Sequence, residues 1–157
     1  MGPKGTIKAA RKYLAGLKLS SFSKKTEAEF RTVLNRATHR FVRKLPRKAK
    51  RWGAARKFIN IFLRGIVYNR YLCKHYDLYR LERWLELPLD SHVAKCLSSE
   101  KGGEILPKWK TVIGLDRKTN RKYQKFAAEV AKRKKYSTYR VHLDIRYWRH
   151  KFVSPNL

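Results

Sequence analysis

The chain has 157 residues, and forty Lys and Arg against eleven Asp and Glu give it a formal charge of +29. That length fits one domain with a single modest core, and an apolar share of 43% is too high for a disordered polyelectrolyte. Charge of this size repels itself in a compact monomer, so a polyanion is expected as partner, with nucleic acid ahead of an anionic membrane surface.

The first segment, "MGPKGTIKAARKYLAGLKLS", is basic and acid-free and lacks the continuous apolar core of a secretory signal. Residues 1–22 therefore read as a flexible basic arm that lies along phosphates, with an organelle transit peptide as the alternative. Residues 23–157 read as one helical domain. "TEAEF" is a capping-box start, in which Thr26 caps and Glu29 reaches back. Phe30, Val33, Leu34, Ala37 and Phe41 then recur at helical spacing, and Pro46 ends the helix. "RKLPRKAKRWGAARK", Arg43–Lys57, holds eight basic residues and no acid. Its one glycine, Gly53, is expected to supply the positive-φ position of a tight turn.

A central helix is expected from Phe58, because Phe58, Ile59, Phe62, Leu63, Ile66 and Val67 cover too much of its circumference for a surface helix. Asn60, Arg64 and Gly65 interrupt this stretch, and no apolar run reaches the roughly 20 residues that span a bilayer. A short helix is read around Leu78–Leu85. After Pro88, Asp90 is placed as the N-cap of a helix whose Val93, Ala94 and Leu97 face inward. "EKGGEILPKW" reads as a loop. One closing helix is marked by Tyr123, Phe126, Ala127, Val130 and Ala131. The last, in "STYRVHLDIRYW", has Val141, Asp144, Ile145 and Trp148 on one face. Strand-like alternation is scarce, and no solenoid-type repeat is evident. The fold class is all-α, a compact helical array.

The catalytic inventory is short. The five histidines (His39, His75, His92, His142 and His150) show no metal-ligand spacing, and Cys73 and Cys96 form no CxxC pair. No metal or cofactor is called for, and the two cysteines read as reduced core thiols in a cytoplasmic-type compartment. No phosphate-cradling glycine loop or nucleophile elbow occurs. What remains is an amine, Lys57, beside the basic stretch, and an isolated carboxylate, Asp90. Together they are the equipment of base excision, in which the amine attacks the anomeric carbon and the carboxylate stabilises charge on the sugar. Asp90 as a plain N-cap and Lys57 as one more phosphate contact are the structural alternatives.

"RWGAARKFINIFLRG" resembles the second half of the helix–hairpin–helix of the endonuclease III-type DNA glycosylases, and "LPLDSHVAKCL" resembles their catalytic-aspartate segment. The resemblance spans about Arg51–Leu97. It implies a helix–hairpin–helix element in which Gly53 and the amides near Ala55 hold a DNA phosphate. It further implies Lys57 as Schiff-base nucleophile and Asp90 as essential carboxylate, acting on an extruded base. Ala55 stands where that family has a second glycine, the Lys57–Asp90 interval is longer, and the four-cysteine cluster is absent.

The sequence thus points to duplex DNA binding through Arg43, Lys44, Arg47, Lys48, Lys50, Arg51, Trp52, Gly53, Ala55 and Arg56, with base removal at Lys57 and Asp90. Trp52 is either a stacking wedge or a core anchor. Two other readings stand beside it: a structural RNA-binding protein of ribosomal type without catalysis, and a chromatin-like DNA compactor. Spread of Lys and Arg along the whole chain, including "KRKK" at 132–135, suits the RNA reading. A nucleoid- or ribosome-associated place in the cytoplasm follows from either partner.

Overall fold

A computed structural model describes residues 3–133 and 135–153, with side chains as far as 149. All regular structure among them is helical: α1 (Thr6–Ala15), α2 (Glu27–Lys44), α3 (Trp52–Tyr68), α4 (Arg70–His75), α5 (Ser91–Ser98), α6 (Arg117–Lys132) and α7 (Leu143–Val153). Short 3-10 turns link several of them.

Helix α2 starts where its capping box places it. Thr26 Oγ1 accepts from the Glu29 amide, and the Glu29 carboxylate accepts from the Thr26 amide at 3.0 Å. Phe30, Leu34, Ala37 and Phe41 are buried along one face, and Leu45 leaves the helix in extended backbone ahead of Pro46. Helix α3 is central, with Ile59, Leu63 and Ile66 buried against α2, α4 and α1. Asp90 caps α5 by accepting from the Val93 amide at 2.9 Å, and Val93, Ala94 and Leu97 are fully buried. Asp116 caps α6 in the same way, and Tyr123, Phe126, Ala127, Val130 and Ala131 face inward.

The apolar side chains form two clusters rather than one core. The first joins α1 to α4 with Leu78, Leu81, Trp84 and Leu85. The second joins Leu87, Leu89, α5, Leu115, α6 and α7. The chain crosses between them at Leu85–Leu87, outside any helix, where helical bonds no longer satisfy the Leu85 and Leu87 carbonyls or the Leu87 amide. Side chains do so instead. Gln124 accepts from Leu87 N–H and donates to Leu87 O, both at 2.8 Å. Arg140 donates to Leu85 O at 2.9 Å and to Trp84 O at 2.6 Å. A layer of Arg56, Asn60, Glu86, Asn120 and Gln124 therefore separates the two clusters, because buried polar groups are stable only when bonded to one another.

Three sequence expectations need correction. The basic N-terminal segment is a docked helix: Phe22 is fully buried, and Tyr13 stacks on Phe41 while donating to Ala37 O at 2.8 Å. Helix α3 begins at Trp52, so Gly53 lies inside it, and the turn that joins α2 to α3 falls earlier, around Arg47–Ala49. Gly53 is helical and absent from the positive-φ glycines, Gly5 and Gly102. A Cβ at Gly53 would lie 2.1 Å from Val112 O, so this glycine serves close approach of helix and loop. The Leu78–Leu85 segment is a 3-10 turn and irregular chain, although Leu78, Leu81 and Leu85 are buried as expected. In α7, Asp144, Ile145 and Trp148 lie on a common face as expected, while Leu143 and Tyr147 are buried in the second cluster.

Candidate functional site

Lys57 and Asp90, 33 residues apart in sequence, meet in one cleft. Lys57 lies in the second turn of α3 and Asp90 at the start of α5, and Lys57 Nζ donates to Asp90 Oδ2 at 3.2 Å. Both are partly open to solvent, with 28% and 18% of their side-chain surfaces accessible. Asp90 therefore does two things: Oδ1 caps α5 and Oδ2 faces the amine. The cleft holds about 440 Å³ and is completed by Ile61, Arg64, Pro88 and the α7 residues Asp144, Ile145, Trp148 and Arg149. Asp144, buried, pairs with Arg64. Two carboxylates distant in sequence thus share one cleft, an arrangement that close sequence spacing could not reveal. On its other side Lys57 borders an apolar groove of about 430 Å³, formed by Ile7, Ala54, Phe58, Ile61, Val112 and Ile113 among others.

The basic segment divides. Arg43, Lys44, Arg47, Lys48, Lys50 and Arg51 are all exposed, on the end of α2 and the turn into α3. The helix start turns Gly53, Ala55 and Arg56 inward, so none of them is a surface phosphate contact, and no glycine turn presents their amides. Trp52 is half-buried beneath the Arg56 guanidinium, 4.8 Å from its ring centre, and is no free wedge.

Arg56 opens onto a second cleft, of about 520 Å³, between α2, α3 and α6. Only 3% of Arg56 is exposed. Its Nη2 donates to Asn35, and its Nε lies 3.5 Å from Glu86 Oε2. Glu86 Oε2 also accepts from Asn60 and Asn120, each at 3.2 Å. Burial lowers the guanidinium's proton affinity, the Glu86 charge raises it, and Arg117 and Arg31 lower it again, for a net downward shift. Sequence patterning missed this cleft. Its signals were polar residues inside apolar runs, Asn60 in α3 and Glu86 in "LELPLD".

The remaining nucleophile and base candidates are structural. His92 Nε2 lies 3.0 Å from Tyr147 O and 3.8 Å from Cys96 Sγ, but burial pushes the Cys96 thiol up, away from a reactive thiolate. His142 joins Tyr68 at 2.6 Å and Glu82 at 3.0 Å. His75 stacks on Tyr71, His39 lies 3.4 Å from Arg117, and the His150 side chain is outside the described residues. Cys73 is buried and Cys96 half-buried, both as free thiols. Among the described residues no three His, Cys, Asp or Glu gather closely enough to hold a metal ion, and no helix is long and apolar enough to cross a membrane.

No family model, curated protein or solved structure matches this chain.

Proposed function

We propose that this protein binds duplex DNA and removes bases at the Lys57–Asp90 cleft. The observation that carries the reading is the 3.2 Å approach of an amine and a carboxylate at an open cleft. The charge of +29 and the six exposed cations at the α2–α3 junction supply the phosphate-binding surface. In the reaction the ammonium first gives up a proton, for which Asp90 is an acceptor in place. The free amine attacks C1′ as the glycosidic bond breaks, the base leaves with the bonding pair, and Asp90 passes its newly acquired proton to the base and is again a carboxylate. The attacking nitrogen then gives one proton to the ring oxygen as the C1′–O4′ bond breaks, which opens the sugar and leaves a protonated imine on Lys57. Asp90, still held by the α5 cap, offsets the positive charge that develops on the sugar.

Trapping tests the chemistry. Borohydride reduces such an imine to a stable adduct, so duplexes with an abasic site or an oxidised base are expected to cross-link to the protein. Absence of any adduct removes the lyase reaction. Binding is tested separately by salt: neutralising about six phosphates gives a log–log slope near −5, and a flat response removes the nucleic-acid partner altogether.

A second reading, a structural RNA-binding protein, draws on one observation. Exposed cations also lie on α1 (Lys8, Arg11, Lys12), α4 (Arg70, Lys74) and α6 (Lys118, Lys122, Lys125), on faces other than the α2–α3 junction. An RNA enclosing the protein would use them all. Charge reversal at Arg47, Lys48, Lys50 and Arg51 weakens binding far more than reversal at Lys8, Arg11, Lys118 and Lys122 if duplex DNA is the partner, and equally if RNA encloses the chain.

A further inference from the structure

We infer that the cleft between α2, α3 and α6 is a binding site for a phosphate-bearing anion of two or more negative charges. Seven Lys and Arg side chains line it against two carboxylates, Glu86 and Glu129. Glu86 is already shared by Arg56, Asn60 and Asn120, and Arg31 and Arg140 pair with Glu27, which leaves Arg117, Arg121, Lys125 and Lys132 set against Glu129 on the walls.

The independent observation lies at the bottom of the cleft. Arg56 is 97% buried on its 3% exposure, yet its Nη1 has no hydrogen-bond partner, and neither does Trp52 Nε1 beside it. Buried donors in proteins are almost always satisfied, and a charged one left open marks a place for an acceptor. Arg117 and Arg121 stand exposed at the rim on α6. A phosphate oxygen seated on Arg56 and Trp52, with its other oxygens toward the α6 guanidiniums, would use the planar fork that makes Arg the usual partner of phosphate. The cleft, at about 520 Å³, has room for more than one phosphate group.

This site is separate from the Lys57–Asp90 cleft and does not depend on excision or on DNA binding. The phosphate could belong to a small free anion or to a nucleic-acid backbone. Pyrophosphate is the probe, compared with sodium chloride at equal ionic strength, and read by melting temperature and by calorimetric titration. The expected result is a rise in melting temperature with pyrophosphate only, and affinity about tenfold weaker or more in Arg117→Ala/Arg121→Ala, because each charged hydrogen bond is worth roughly that factor. Lys8→Ala/Lys12→Ala removes the same charge from α1 and is expected to leave pyrophosphate affinity within about twofold, as distant exposed charges are screened. Trp52→Phe, which lacks the N–H, weakens binding without altering the net charge. Competition by a short duplex, with a matching loss of duplex affinity in the α6 variant alone, assigns the phosphate to a nucleic acid. Pyrophosphate binding without competition assigns it to a free anion. The inference is overturned if pyrophosphate acts no differently from chloride and the α6 variant binds duplex as the α1 variant does. It is overturned equally if both double variants lose the same pyrophosphate affinity.

Discussion

Arg56 and Lys57 are neighbours in sequence, and about 100° of helix rotation sends them into different clefts. Lys57 meets a carboxylate of its own, Asp90, at 3.2 Å, with both groups in reach of water. Arg56 is buried, lies 3.5 Å from a Glu86 carboxylate that it shares with two amides, and keeps donors in reserve. The difference lies in what each charge would lose if its partner went. Lys57 can turn to solvent, whereas Arg56 would be left as an uncompensated buried cation. A paired, wet amine suits chemistry in which the proton must move, and an unsaturated buried guanidinium suits holding an anion.

The largest expected effect separates the clefts by reaction. Lys57→Ala is expected to abolish the borohydride adduct. Arg121→Ala, at saturating DNA, is expected to leave adduct yield within a few-fold of the parent. Loss of the adduct in both would mean that the two clefts act as one site.

Stability separates them next. Glu86→Gln leaves Arg56 without its carboxylate, and breaking a buried pair in this way costs about 3–5 kcal/mol. Denaturant unfolding measures it. A cost under about 1 kcal/mol would show that the guanidinium is served by groups other than Glu86. Gly53→Ala tests the positioning of both residues, since Gly53 brings the start of α3 against Val112 and Leu115. Forcing a methyl into that contact costs about 1–3 kcal/mol. A neutral outcome would imply that the 111–115 segment moves away freely, and the Lys57 groove with it.

Local signals made much of this fold legible. The Thr26–Glu29 capping box, the Asp90 cap and the apolar spacings of α2, α5 and α6 each depend on residues within one or two turns. The start of α3 was hidden because Gly53 invites a turn, and only a distant carbonyl, Val112 O, shows why a helical glycine is needed. The docked α1 was hidden for a related reason: in a basic stretch, Tyr13 and Phe22 become core only when α2 is there to receive them. Lys57 and Asp90 were singled out by residue type. Arg56 passed as one more cation in a basic run, because its burial is fixed by Asn35, Glu86 and Asn120, which come from three other parts of the chain.

The smallest effect on folding bears most directly on Asp90. Its Oδ1 caps α5 and its Oδ2 faces Lys57, so Asp90→Asn separates the two duties. Asparagine caps about as well as aspartate, and a partly exposed ion pair is worth about 0–1 kcal/mol. The melting temperature should therefore fall by only a few degrees or less, because about 1 kcal/mol corresponds to roughly 2–4 °C at this chain length. Duplex affinity should hold or rise, since a negative charge near phosphates is removed. If the carboxylate stabilises a cationic sugar, excision falls by orders of magnitude in a protein that still folds and binds. If excision is unchanged, the acid is there for the helix and for the lysine's position. A large fall in melting temperature would instead mean that Lys57 depends on Asp90 as Arg56 depends on Glu86, and the contrast between the two clefts would fail.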